Sequence, residues 1–107
     1  MSEADLAFYT EEFKRTGFRG GLNWYRNIDT NWNLTAFLSG AKIRQPSLFV
    51  AGEFDAVITM YRRAFDSLEE TMPGLRKKVL LSGAGHWIQQ ERPTEVNDLL
   101  IQFLKSL

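Results

Sequence analysis

Apolar and polar positions along the 107-residue chain follow first a helical period, then a strand pattern, then a helical one again. Ser2 with Asp5 three residues on fits a capping box, and Leu6, Tyr9 and Phe13 then recur on one helical face. A first helix is expected, ended by Gly17 and the Gly20-Gly21 pair. Leu22 to Phe37 mixes aromatic residues with Asn and Thr, which predicts two short helices. Pro46 ends the next loop. Ser47 to Ala51 is an apolar run stopped by Gly52, the pattern of a buried parallel strand. A helix is expected from about Val57 to Met72, closed by Pro73-Gly74, and Lys78 to Leu81 reads as a second strand followed by Gly83 and Gly85. Pro93 suits the first turn of a last helix, with Thr94 and Glu95 close behind. Val96, Leu99, Leu100, Phe103, Leu104 and Leu107 then form a full apolar stripe. Strand, helix, strand, helix predicts an α/β fold built on a parallel βαβα unit, whose crossover should be right-handed.

Composition adds mainly exclusions. A hydrophobic content of 44% with 24% charged residues is that of an ordinary globular protein of one domain at most. Thirteen basic residues balance thirteen acidic ones, so no net field favours nucleic acid or an anionic membrane. There is no Cys, which excludes disulfides and thiolate metal sites. Apolar runs are far shorter than a membrane span, and the acidic N-terminus lacks the pattern of a signal peptide. The cytoplasm is the expected location.

Chemistry concentrates where the two strands end. Gly52-Glu53-Phe54-Asp55 leaves the first strand and Ser82-Gly83-Ala84-Gly85-His86-Trp87 leaves the second. In open parallel sheets active sites collect at that edge. An Asp on one such loop can fix the tautomer of a His on the next and stabilise the imidazolium as it takes a proton. Each residue also has a plainer reading. His86 is the sole His and could sit at the surface or in a satisfied core, and an Asp after Gly is a common turn or helix cap.

Three segments carry a resemblance: Asn23-Trp24-Tyr25-Arg26-Asn27, then Val50-Ala51-Gly52-Glu53-Phe54-Asp55, then Gly85-His86-Trp87 with Glu91-Arg92-Pro93-Thr94-Glu95-Val96. In this order they resemble the C-terminal third of α/β-hydrolase-fold epoxide hydrolases, from about Asp5 to Leu107. The G-H-W and E-x-P-x-x-V patterns occur across α/β hydrolases generally, whereas N-W-Y-R-N is the more telling. The resemblance implies the C-terminal βαβα portion of that fold, with short parallel strands near 47–51 and 78–81. Residues 1–38 would be the end of a helical cap region and 39–107 part of the hydrolase core. It implies Asp55 as the charge-relay acid, His86 as the base and Tyr25 as a cap tyrosine that protonates the ring-opened oxygen. Trp24, Phe54 and Trp87, neighbours of those three, are the candidate substrate-binding residues. Apart from the family, Tyr25 reads as an aromatic packed beside Trp24 and Trp32.

The same family uses an Asp nucleophile on a strand-to-helix elbow, a His-Gly-x-Pro oxyanion loop and a second cap tyrosine, all upstream of the matching region. No G-x-[SD]-x-G elbow occurs in these 107 residues. The expectation is therefore a piece of an epoxide hydrolase that is inactive alone and needs no metal or organic cofactor. Its partner would be a small-molecule epoxide once the missing part completes the site. The alternative is a non-catalytic oligomeric or binding module derived from a truncated hydrolase. A neighbouring class, a haloalkane dehalogenase or an esterase, is opposed by Tyr25. Two strands leave open edges, and Phe49 and Val50 face opposite sides, as do Leu80 and Leu81, so a homo-oligomer is expected.

Overall fold

The computed structural model describes residues 1–107 as two compact units, Met1–Ser39 and Gly40–Leu107. The first is helical throughout. Helix α1 spans Glu3–Thr16 and opens on the expected capping box. The Asp5 amide donates to Ser2 Oγ at 3.2 Å and the Ser2 amide donates to Asp5 Oδ2 at 2.7 Å. Gly17, at φ 65°, ends it by donating its amide to the Phe13 carbonyl at 2.8 Å. Phe18 then stacks on Phe13, ring centres 4.5 Å apart. Gly20 and Gly21 do not belong to this stop: they lie inside α2, Arg19–Arg26, because Gly17 alone completes the cap. Asn27 separates α2 from α3, Ile28–Leu34, its amide group donating to the Asn23 carbonyl at 2.8 Å. A 3₁₀ turn over Ala36–Leu38 follows. None of these elements has a buried residue.

The second unit is the α/β part. Strands β1, Ser47–Gly52, and β2, Leu75–Leu81, pair in parallel, with Val50 opposite Val79 and Gly52 opposite Leu81. Strand β2 starts three residues before the apolar run that announced it. Its ladder is made by the backbone, so the exposed Lys77 can pair with Leu48, while Arg76 is passed over at an irregularity between the Leu75 and Lys77 pairs. The crossover is not the single helix expected from Val57 to Met72. It is three short ones: α4, Ala56–Met60; α5, Arg62–Asp66; α6, Leu68–Thr71. Tyr61 (φ −109°, ψ 33°) and Ser67 (φ −99°, ψ 20°) leave helical geometry at the joints. The Ser67 hydroxyl donates to the Arg63 carbonyl at 3.0 Å, offering the backbone an alternative to the helical ladder. Lys78 ties this crossover to β2, with Nζ 3.1 Å from the Phe65 carbonyl and 4.8 Å above the Phe65 ring.

After β2 come α7, Ile88–Glu91, too short to announce itself by periodicity, and α8, Pro93–Lys105. Arg76 reaches from β2 to the Ser106 carbonyl at 2.6 Å and satisfies the end of α8. The stripe on α8 divides. Val96 is buried and Leu99 and Phe103 are half-buried, while Leu100, Leu104 and Leu107 are exposed. The core is small: Ala84, Ile88 and Val96, with Val50 and Leu81 packed against them. No helix is long and apolar enough to cross a membrane.

Backbone meets backbone at both ends of the sheet. A Cβ on Gly74 would lie 2.1 Å from the Gln45 carbonyl oxygen, and one on Gly52 would lie 2.0 Å from that of Gly85 and 2.4 Å from that of Ala84. Real side chains do not come so close to a fixed backbone, so Gly52→Ala must push the two loops apart. It should cost about 3 kcal/mol or more. A urea denaturation midpoint within error of wild type would show that the loops do not rely on this approach.

Candidate acid–base site at the strand ends

The close approach at Gly52 brings the two strand-end loops together. The Glu53 amide donates to the Leu81 carbonyl at 3.0 Å and the Phe54 amide to the Ala84 carbonyl at 2.8 Å. Ala84 is fully buried and anchors the second loop. On the first loop Asp55 is the N-cap of α4, its Oδ1 accepting the Val57 amide at 2.8 Å. Its other oxygen, Oδ2, lies 2.9 Å from His86 Nδ1. Asp55 is only 7% exposed, and the His86 side chain is 55% exposed. An acid buried at its cap thus faces an imidazole open to the outside.

His86, and next the Val57 amide, hold the Asp55 carboxyl below its ordinary value, against the opposing effect of burial. An ionised carboxylate can only accept, so the neutral imidazole carries its proton on Nδ1 and leaves Nε2 as the basic nitrogen. That arrangement can take a proton from a water or a hydroxyl group. Trp87 lies edge-on to the imidazole, ring centres 5.0 Å apart at 79°. The structure therefore brings together Asp55, His86 and Trp87 among the residues singled out from sequence. Phe54, on the first of the two loops, is 72% exposed, and Trp24 and Tyr25 lie on α2 of the first unit, 81% and 72% exposed.

Two carboxylates escaped the sequence reading. Glu53 Oε2 accepts the Ser82 hydroxyl at 2.9 Å and the Gly83 amide at 3.1 Å, which lowers its pKa, the Gly83 bond contributing most. Glu91 accepts the Gly85 amide at 2.6 Å on Oε2 and the Trp87 amide at 3.0 Å on Oε1. The signal was present: a glycine-rich loop exposes backbone donors, and Glu53 and Glu91 are acids within reach of it.

The fold matches the C-terminal part of the α/β-hydrolase fold of epoxide hydrolases. The chain aligns along its full length with about the C-terminal third of such enzymes and is homologous to that portion. It is 52% identical over 107 residues to Epoxide hydrolase A of Mycobacterium tuberculosis, covering 100% of this chain and 33% of that protein. Against the mouse Bifunctional epoxide hydrolase 2 the identity is 42% over 105 residues, 98% of this chain and 18% of the relative. Among solved structures, Epoxide Hydrolase A from Mycobacterium thermoresistibile superposes with a TM-score of 0.89 at 53% identity, covering 98% of this chain and 32% of that one. Potato epoxide hydrolase I gives 0.92 at 35% identity, over 99% of this chain and 34% of that one. The chain thus spans about a third of the length of the first of these relatives. No family model matches it.

The lowered pKa of Asp55 fixes a sign. A carboxyl held below its unfolded value, about 3.9, stabilises the fold above that pH and loses the contribution as pH falls through the folded value. Asp55→Asn keeps an N-capping side chain but removes the charge, so it should be less stable than wild type near neutrality. The gap in urea midpoint should begin to close as pH falls toward the unfolded value and be gone once pH has passed below the lower, folded one. A gap that stays constant through that fall would mean that the charge of Asp55 does not stabilise the fold.

Proposed function

We propose that this chain is the C-terminal portion of an epoxide hydrolase and supplies its acid–base machinery: His86 as base, Asp55 as the acid behind it and Tyr25 as a ring-opening acid. The observation that carries this reading is the 2.9 Å contact between Asp55 Oδ2 and His86 Nδ1, formed across two strand-end loops. The homology to epoxide hydrolases and the N-W-Y-R-N segment around Tyr25 support it.

Hydrolysis would proceed in two steps. A carboxylate attacks one epoxide carbon, the carbon–oxygen bond breaks, and Tyr25 gives the departing oxygen its proton. The product is a hydroxyalkyl ester. His86 then removes a proton from water, the hydroxide attacks the ester carbonyl, and the diol leaves as the carboxylate is regenerated. The proton held on the imidazolium passes by way of water to restore the Tyr25 phenol. Trp24, Phe54 and Trp87 would contact the substrate through their exposed aromatic faces. None of the 107 residues lies in a nucleophile elbow, so the attacking carboxylate comes from outside them and the polypeptide alone should be inactive.

Joining this chain to the part of Mycobacterium tuberculosis Epoxide hydrolase A that precedes the matched region tests both steps. The hybrid should hydrolyse epoxides, and the isolated chain should not. In the hybrid, His86→Gln should slow turnover by about 100-fold or more and let the ester accumulate as a mass increase equal to one substrate molecule. Full turnover by the His86→Gln hybrid would remove His86 from the mechanism, and hydrolysis by the isolated chain would overturn the missing nucleophile.

Assembly belongs to the same proposal. Trp24, Trp32 and Phe37 are 81%, 80% and 82% exposed, and both strands keep an open edge. Exposed apolar groups and unpaired edges favour association. The isolated chain should sediment as a homo-oligomer at micromolar concentration, most simply a two-fold dimer. A folded monomer that binds no hydrophobic dye would count against it.

A further inference from the structure

We infer that Glu91 is a positioning residue that aims the His86 imidazole by holding the two amides on either side of it. The inference rests on the proposed role of His86 as base. The side chain of His86 is more than half exposed, so packing does not lock its direction. A precise site built on a loop needs its supports elsewhere, in hydrogen bonds that fix the backbone. One carboxylate supplies them here. Glu91 Oε2 accepts the Gly85 amide and Oε1 accepts the Trp87 amide, so the two bonds straddle residue 86.

A plainer role would be to close α7, and part of the geometry serves that end. The Glu91 amide donates to the Trp87 carbonyl at 2.9 Å while the Glu91 carboxylate accepts from the Trp87 amide, a reciprocal pair at the helix start. Gly85, however, lies outside the helix and before His86. A bond to its amide does nothing for α7 and constrains only the entry to the histidine. Gly85 also leaves room for it: a Cβ there would stand 3.2 Å from Glu91 Oε1 and 3.3 Å from Oε2. The rest of the loop is fastened separately, Ser82 and Gly83 by Glu53, Ala84 by the Phe54 amide. His86 is thus gripped from Glu91 through the backbone and from Asp55 through the ring.

Nuclear magnetic resonance of the full chain labelled with ¹⁵N and ¹³C tests this. Hydrogen-bond couplings should connect the Gly85 and Trp87 nitrogens to the Glu91 side-chain carboxyl carbon; absence of both overturns the inference. Wild type should show the neutral imidazole mainly with its proton on Nδ1. Glu91→Gln offers one acceptor for two amides. It should raise amide exchange at Gly85 and Trp87 at least tenfold and shift the tautomer ratio toward Nε2–H. Glu91→Asp keeps the charge but shortens the reach, and it should behave the same way. It also carries the test if Glu91→Gln does not fold. Faster amide exchange with an unchanged tautomer ratio would reduce Glu91 to a helix cap and overturn the inference. Asp55→Asn separates the two readings. If it leaves the ratio at the wild-type value, the Asp55–His86 pairing itself fails. If it shifts the ratio while both Glu91 variants do not, only the role of Glu91 fails.

Discussion

At the C-terminal end of β1, backbone runs against backbone with no room for a side chain between Gly52 and the carbonyls of Ala84 and Gly85. Everything that gives this chain its chemistry follows from that approach. It lets the Phe54 amide bond to Ala84, which brings the loop after β1 against the loop after β2. Only then can an acid that caps one helix meet a histidine thirty-one residues away. Sheet pairing alone would leave the two loops side by side without fixing either side chain. Burial of Ala84 secures the approach from the inner side, and the carboxylates of Glu53 and Glu91 secure it from the outer.

The loop from Ser82 to Trp87 is therefore held chiefly by charged acceptors rather than by apolar packing. Such a solution suits a unit whose core is as small as Ala84, Ile88 and Val96. Hydrogen bonds to charged groups are roughly twice as strong as neutral ones, and a bidentate carboxylate adds direction. The loop keeps its shape although its surface is wet, and the imidazole it carries stays open to a reactant. Rigidity and access, often in conflict, are met by different atoms.

Much of this was legible in the sequence, and the failures have identifiable causes. The capping box at Ser2 and Asp5, the stop at Gly17, both strands and α8 are local signals, and the structure contains each of them. The crossover defeated periodicity because Tyr61 and Ser67 break it by backbone geometry, and neither is a residue that announces a break. Gly20-Gly21 misled in the opposite direction, since a helix tolerates glycine at a cost of about 1 kcal/mol each. The pairing of Asp55 with His86 was suggested by the two strand ends and strengthened by the family resemblance. The carboxylates that frame it did not, because an acid that binds backbone amides looks in sequence like any solvated Glu.

Asp55 uses its two oxygens for two separate tasks, one on the Val57 amide and the other on the imidazole. This narrows what evolution can put there. Asn would preserve the start of α4 and forfeit the charge behind the histidine. Glu would preserve the charge, but it is a poor N-cap and its extra methylene displaces both bonds at once. Ser or Thr could cap and nothing more. The position is thus closed to gradual drift from both directions: each single replacement satisfies one demand by abandoning the other. A lineage that released this chain from acid–base chemistry would be expected to show it first as Asn at position 55, with the helix intact and the histidine idle.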